Sequence, residues 1–248
     1  MNGMHIFNHS GQQLKINWSN STNLKRWLAI QRIRSSQIID KPDNEFYREY
    51  QKWIQRYWYS LEAMGTFDLP DNASILDIGS GIGLLDMFLS RHLVKSKITL
   101  LDKDELGELS PEKYYGDHPF YNSWEPTLDI INTSKLNPNR FMFIGPEDDW
   151  PSHYDLIMSH FSWGWHYQYD KYVHKVYQHL KPNGKLLISI RYVDDPSYDL
   201  PSIIDNNIGV ISKKITWQLH KKDRSDFEKG NIETSGDPYY GALMLWVK

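Results

Sequence analysis

The stretch Ser74-Ile-Leu-Asp-Ile-Gly-Ser-Gly-Ile-Gly83 is an apolar run that leads into three glycines at alternate positions. Glycines so placed let a backbone turn sharply and let a ligand lie directly against it. Residues 74–78 read as a strand, and Leu84 to Leu93 as a helix with apolar positions 84, 85, 88, 89 and 93 on one face. The acid Asp77 stands two residues before Gly79, at the strand's carboxyl end, the edge where an open α/β sheet takes its ligand.

The spacing narrows the ligand. A dinucleotide fingerprint is G-x-G-x-x-G, with its pyrophosphate on the helix N-terminus. Here the pattern is D-x-G-x-G-x-G and Leu84 occupies the place of the later glycine, which counts against a nicotinamide-dependent oxidoreductase. A second strand, Lys97-Ile-Thr-Leu-Leu-Asp102, ends on an acid 19 residues after Gly83, suited to accept hydrogen bonds from a ribose diol. Together these features resemble the class I S-adenosylmethionine-dependent methyltransferases. The resemblance implies an α/β, Rossmann-like, seven-stranded sheet, mostly parallel with the last strand antiparallel and helices on both faces. It also implies S-adenosyl-L-methionine as cofactor, held by Asp77, Gly79, Ser80, Gly81, Gly83, Asp102, Lys103 and Ser159. An acid after the third strand commonly recognises adenine in that family. Pro146 departs from its glycine-aspartate form, and Glu147 or Asp148 is the substitute.

At 248 residues the chain suits one such domain (66–248) preceded by a helical extension or lid (1–65). No run approaches the roughly 18 apolar residues of a membrane span, and the first residues lack a secretory signal's apolar stretch. A cytoplasmic protein is expected. The absence of cysteine excludes disulfides, thiolate metal sites and cysteine nucleophiles. A net charge of −3 argues against a broad nucleic-acid footprint, which draws its affinity from Lys and Arg on phosphates. Residues 102–155 hold twelve acids against four Lys and Arg, while residues 1–62 hold nine Lys and Arg against five acids. Ordinary solvation, or pairing of the two segments, accounts for that asymmetry.

Residues 1–20 read as irregular and polar. Helices are expected over Asn23–Ile39 and Glu45–Met64, the second either packing on the sheet or covering substrate. A long connection follows Lys103; its tyrosines Tyr114, Tyr115 and Tyr121 are candidates for an acceptor pocket or for plain packing. Then come a helix from Trp124 to Lys135 and strands over Arg140–Ile144 and Tyr154–Met158. A helix over Tyr169–Leu180, a turn at Lys181-Pro-Asn-Gly184 and a strand over Lys185–Arg191 complete the unit. Strands near Ile215–His220 and Ala242–Val247 fit the antiparallel pair that closes the sheet in the resembling family.

The chemistry falls on Ser159-His-Phe-Ser-Trp-Gly-Trp-His-Tyr-Gln168, after the fourth strand. It lacks the Asn/Asp-Pro-Pro-Tyr/Phe run with which amino-group methyltransferases hold a planar nitrogen. Methyl transfer from a sulfonium is an in-line displacement, so the protein supplies alignment and, for a hydroxyl nucleophile, a base. Imidazole suits that task near neutral pH, with His166 the first choice and His160 the second; either could instead orient the loop. The Ser162-Trp-Gly-Trp-His-Tyr167 run is similar to the S-W-x-x-H-Y stretch of a subgroup of sugar O-methyltransferases, although Gln168 replaces the proline that usually follows. On that resemblance Trp163, Trp165 and Tyr167 line a sugar site, and Arg191 holds an acceptor carboxylate or phosphate. Asp194 and Asp195 follow the fifth strand and could hold a divalent ion of the kind some sugar methyltransferases use to lower a hydroxyl's pKa, but two acids before a proline are more often turn formers, and no metal ligand is assigned. The leading reading is O-methylation of a small, sugar-like acceptor. The alternatives are methylation of RNA or another polymer, and an inactive S-adenosylmethionine-binding partner protein.

Overall fold

Unbroken apolar runs, rather than alternating ones, mark strands covered on both faces. The structure, a computed structural model, describes residues 4–9, 12–17, 58–59, 61–63, 65–104, 124–160, 162–163, 170–192, 211–219 and 239–248. Its strands in chain order are β1 (Met4–His9), β2 (Gln12–Asn17), β3 (Ser74–Ile78), β4 (Lys97–Leu101) and β5 (Phe141–Ile144). They continue with β6 (Tyr154–Ser159), β7 (Leu180–Tyr192), β8 (Ile211–Leu219) and β9 (Tyr239–Val247). Three helices, α1 (Leu84–His92), α2 (Trp124–Thr133) and α3 (Asp170–His179), link the strands of the main sheet.

That sheet has the order β5-β4-β3-β6-β7-β9-β8. Strands β3 to β7 are parallel, while β9 runs antiparallel to both β7 and β8. From β3 the chain moves outward through β4 and β5, then returns to lay β6 on the other side of β3. The order therefore reverses between β3 and β6, and a crevice opens beyond their carboxyl ends. Right-handed crossovers, the rule for parallel strands, call for α1 and α2 on one face and α3 on the other. Ile75, Leu76 and Ile78 of β3, Leu156 to Met158 of β6, and Leu186 to Ile188 of β7 are buried between the two layers.

The end of the sheet away from that crevice is fastened by polar side chains. The Arg140 guanidinium donates to the carbonyls of Ser90 (2.9 Å), Leu93 (2.6 Å) and Ser96 (2.8 Å), and to Ser96 Oγ. It thereby satisfies carbonyls that the end of α1 leaves without helical partners. Asp155 Oδ2 accepts from Ser74 N and from Lys181 Nζ, both at 2.8 Å.

Two expectations are corrected. Residues 4–9 and 12–17 are not irregular but form an antiparallel hairpin, with His9 opposite Gln12. Polar residues at most strand positions obscured the alternation. Strand β2 lies against α1 and α2, so the N-terminal extension is not wholly helical. The expected turn at 181–184 is an irregularity within β7, where pairing with β6 shifts register and Asn183 sits at φ 62°. There Asn183 N–H donates to the Lys248 carbonyl, and Lys248 N–H to that of Gly184. Residues 58–59 and 61–63 are helical, with Trp58 and Leu61 fully buried and Trp58 4.3 Å from Phe67. This end of the second expected helix packs on the core. The helix expected over Asn23–Ile39, the rest of the second, and the loop tyrosines lie outside the described residues.

Candidate functional site

The residues after β3 turn back on themselves because β4's end offers acceptors. Gly79 N–H (2.7 Å) and Ser80 N–H (3.2 Å) both donate to the Leu101 carbonyl, and Gly83 N–H to that of Ser80. Gly79, Gly81 and Gly83 have φ of 75°, 58° and 62°. At Gly79 the chain tolerates no side chain, since an added Cβ would fall 1.8 Å from Ser162 Oγ. At Gly81 an added Cβ would meet nothing within 4 Å. Gly83 is the left-handed N-cap of α1 and brings no capping side chain.

Asp102, immediately after β4, anchors this turn. Its Oδ2 accepts from Gly81 N–H and its Oδ1 from Lys103 N–H, each at 2.7 Å. Burial raises its pKa to about 6, and those two bonds together with the Lys103 charge pull against the rise. Lys103 itself is half-buried. Beneath the turn, Asp77 and Asp86 are 3% and 0% exposed. Burial, then the Asp86 charge and hydrogen bond, holds the Asp77 carboxyl well above the ordinary carboxylate range. Burial likewise raises Asp86 to about 7. Asp86 escaped the sequence reading because helical periodicity put it off the apolar face. Its burial comes from the cover over α1, whose Leu84 and Asp86 to Ser90 are all enclosed.

Across the switch point, Ser159 joins the two central strands. Its hydroxyl donates to the Ile78 carbonyl (2.8 Å) and accepts from Trp163 N–H (2.9 Å). The segment after β6 is thus drawn over the glycine turn, with Ser162 seated against Gly79. No sequence signal singled out Ser162 for that contact. His160 Nδ1 lies 3.5 Å from Ser189 Oγ of β7. Burial lowers the imidazole pKa to about 3, so His160 stays neutral and takes up a proton poorly at neutral pH. Trp163 is fully buried and packs edge-on to Tyr172 at 6.2 Å.

After β5 the two candidate acids diverge. Asp148 closes a turn, its Oδ2 accepting from Gly145 N–H at 2.6 Å. Glu147 is exposed and pairs with Lys171 of α3 at 2.7 Å, which lowers its pKa. His166, Trp165 and Tyr167 lie outside the described residues. Arg191 stands opposite Gly241 in the β7–β9 ladder, where only its backbone is described.

The turn therefore brings together Asp77, Gly79, Ser80, Gly81, Gly83, Asp102 and Lys103, with Ser159 facing them from β6. Among the described residues, Asp77 Oδ1 and Ser80 Oγ are enclosed yet receive no N–H or hydroxyl donor. With the open space above Gly81, they fit a ligand bearing hydrogen-bond donors, as the amino acid and ribose ends of S-adenosylmethionine do.

Comparison with known proteins agrees with this geometry. Residues 43–227 match the family model of a methyltransferase domain, well over half the chain. No curated protein matches the chain. Among solved structures, StiE O-MT (residues 961–1257) is similar at 14% identity and a TM-score of 0.54, over 86% of this chain and 80% of its own. A proposed sarcosine dimethylglycine methyltransferase from Galdieria sulphuraria aligns at 16% identity and a TM-score of 0.50, over 80% of this chain and 86% of its own. PKMT2 from Rickettsia typhi, solved with AdoHcy, aligns at 24% identity and a TM-score of 0.36; the match covers 50% of this chain and 22% of that protein. The chain belongs to the methyltransferase-domain family and is an S-adenosylmethionine-dependent methyltransferase.

Proposed function

We propose that this enzyme transfers the methyl group of S-adenosylmethionine to a hydroxyl of a small acceptor, a sugar or glycosylated compound. The observation that carries the reading is the seat of Ser162 on Gly79, fastened by Trp163 N–H on Ser159 Oγ. Trp165, His166 and Tyr167 follow closely in sequence after Trp163, which is held beside the donor turn. Bound there, the donor supplies an activated methyl on a sulfonium, and the chain's own groups do the rest. Asp102 takes the ribose diol. Asp148 is better placed for the adenine amino group than Glu147, whose carboxylate is engaged by Lys171 at the surface. Trp165 and Tyr167 offer flat faces to a pyranose, Arg191 an anchor for acidic groups, and His166 a base for the hydroxyl proton. His160, kept neutral, orients the end of β6 through Ser189.

The test is His166→Ala assayed with labelled methyl donor against a panel of sugars and glycosides. Turnover should fall roughly 10²–10⁴-fold, the usual worth of a general base, while donor binding measured by calorimetry stays unchanged. Unaltered turnover removes His166 from the mechanism. Label appearing on nitrogen or on a polymer, and not on a hydroxyl, overturns the acceptor class.

A further inference from the structure

The two sides of the crevice are fastened to different strands. On the donor side the glycine turn is held from β4, where Gly79 and Ser80 N–H donate to the Leu101 carbonyl, and from Asp102, whose Oδ2 accepts from Gly81 N–H. On the other side the chain leaving β6 is held by Ser159. The ladder between β3 and β6 runs from the Ile75–Leu156 pair to the Asp77–Met158 pair. One position further on, the Ser159 hydroxyl takes over, donating to the Ile78 carbonyl at 2.8 Å and accepting from Trp163 N–H at 2.9 Å. A hydroxyl has one proton, so with Ile78 engaged Ser159 has none to offer a ligand. Its side chain is also fully buried. The bond to Trp163 acts together with two further contacts. Ser162 fills the space beside Gly79, and the Trp163 ring packs edge-on to Tyr172 of α3 at 6.2 Å.

We propose that Ser159 is a positioning residue for the acceptor side of the site and not a ligand of the donor. Its hydroxyl sets how Ser162 and Trp163 sit against the glycine turn. The inference rests on the function proposed above, with the donor at that turn and the acceptor approaching from the β6 side. The bonds that fold the turn go to β4 and Asp102, so loss of the hydroxyl loosens the acceptor side and leaves the donor side in place.

Ser159→Ala removes both bonds. Turnover on the acceptor found with the sugar and glycoside panel should fall roughly 10²-fold, the effect of a misplacement of about 1 Å. Kd for S-adenosylhomocysteine, measured by calorimetry, should stay within about twofold of the wild type. Ser159→Thr, which keeps the hydroxyl, should restore most of the turnover. Hydrogen exchange at the Trp163 amide is a readout that needs no acceptor. Protection should drop in Ser159→Ala, and it should persist in the wild type saturated with S-adenosylhomocysteine. Affinity that falls in step with turnover overturns the proposal and returns Ser159 to the donor's ligands. Loss of Trp163 protection when the wild type binds S-adenosylhomocysteine does the same, and that measurement stands even if the variant does not fold. Unchanged turnover in a folded Ser159→Ala protein overturns the positioning role. A panel that yields no acceptor counts against the acceptor class instead, while exchange and calorimetry still decide the role of Ser159.

Discussion

Gly79 and Gly81 share a left-handed backbone, but the space beside them differs. A methyl at Gly79 collides with Ser162 as well as straining φ. Gly79→Ala should therefore cost roughly 3 kcal/mol or more of stability by denaturant melt. At Gly81 the strain stands alone, about 1 kcal/mol, while the methyl enters the space assigned to the donor. Gly81→Ala should thus stay folded and lose S-adenosylhomocysteine affinity by calorimetry. Equal losses of stability would refute the distinction. Asp102→Ala removes the acceptor for Gly81 N–H and the proposed partner of the ribose; binding should weaken at least tenfold, on the order of 1.4 kcal/mol. Residues of this kind are legible in sequence because their spacing is local. Asp86, Ser162 and the burial of Trp163 are not, since each follows from what another part of the chain lays over it.

The elements themselves were largely readable. Strands β3, β4 and β6 are short, mainly apolar and β-branched runs, and α2 and α3 lie within two residues of their expected limits. The hairpin β1–β2 was hidden because its short polar strands lack that signature. Arg140 shows how elements are joined by contacts no pattern reveals, one side chain holding the end of α1 and the turn before β4. Arg140→Ala should cost roughly 2 kcal/mol, since it removes the guanidinium donors to the Ser90 and Ser96 carbonyls, while that of Leu93 keeps Ser96 N–H and Oγ. Arg140→Lys should recover little, because a point ammonium cannot span the same acceptors. Thermal denaturation of the pair of variants checks both, and an unchanged melting temperature in Arg140→Ala would contradict the fastening role.

For the molecule as a whole, the buried acids set a trend with pH. Asp77, Asp86 and Asp102 hold protons more tightly folded than unfolded, so their contribution to stability is full below their unfolded pKa near 3.8. It is lost as pH climbs through about 6 for Asp102 and about 7 for Asp86. His160 acts in the opposite sense, its contribution present above 6.5 and lost as pH falls toward about 3. Asp86→Asn should accordingly stabilise the free protein more at about pH 8 than at about pH 5; the reverse order in paired melts would overturn the sign. The sheet order carries a different consequence, one for biosynthesis. Among the described residues strand β8 pairs with β9 alone, and β9 slots between β7 and β8 although it is translated last of the three. Until Tyr239 to Val247 leave the ribosome, β7 has an open flank and β8 nowhere to dock. A nascent or truncated chain halted before Tyr239 carries a ready template for pairing with its neighbours.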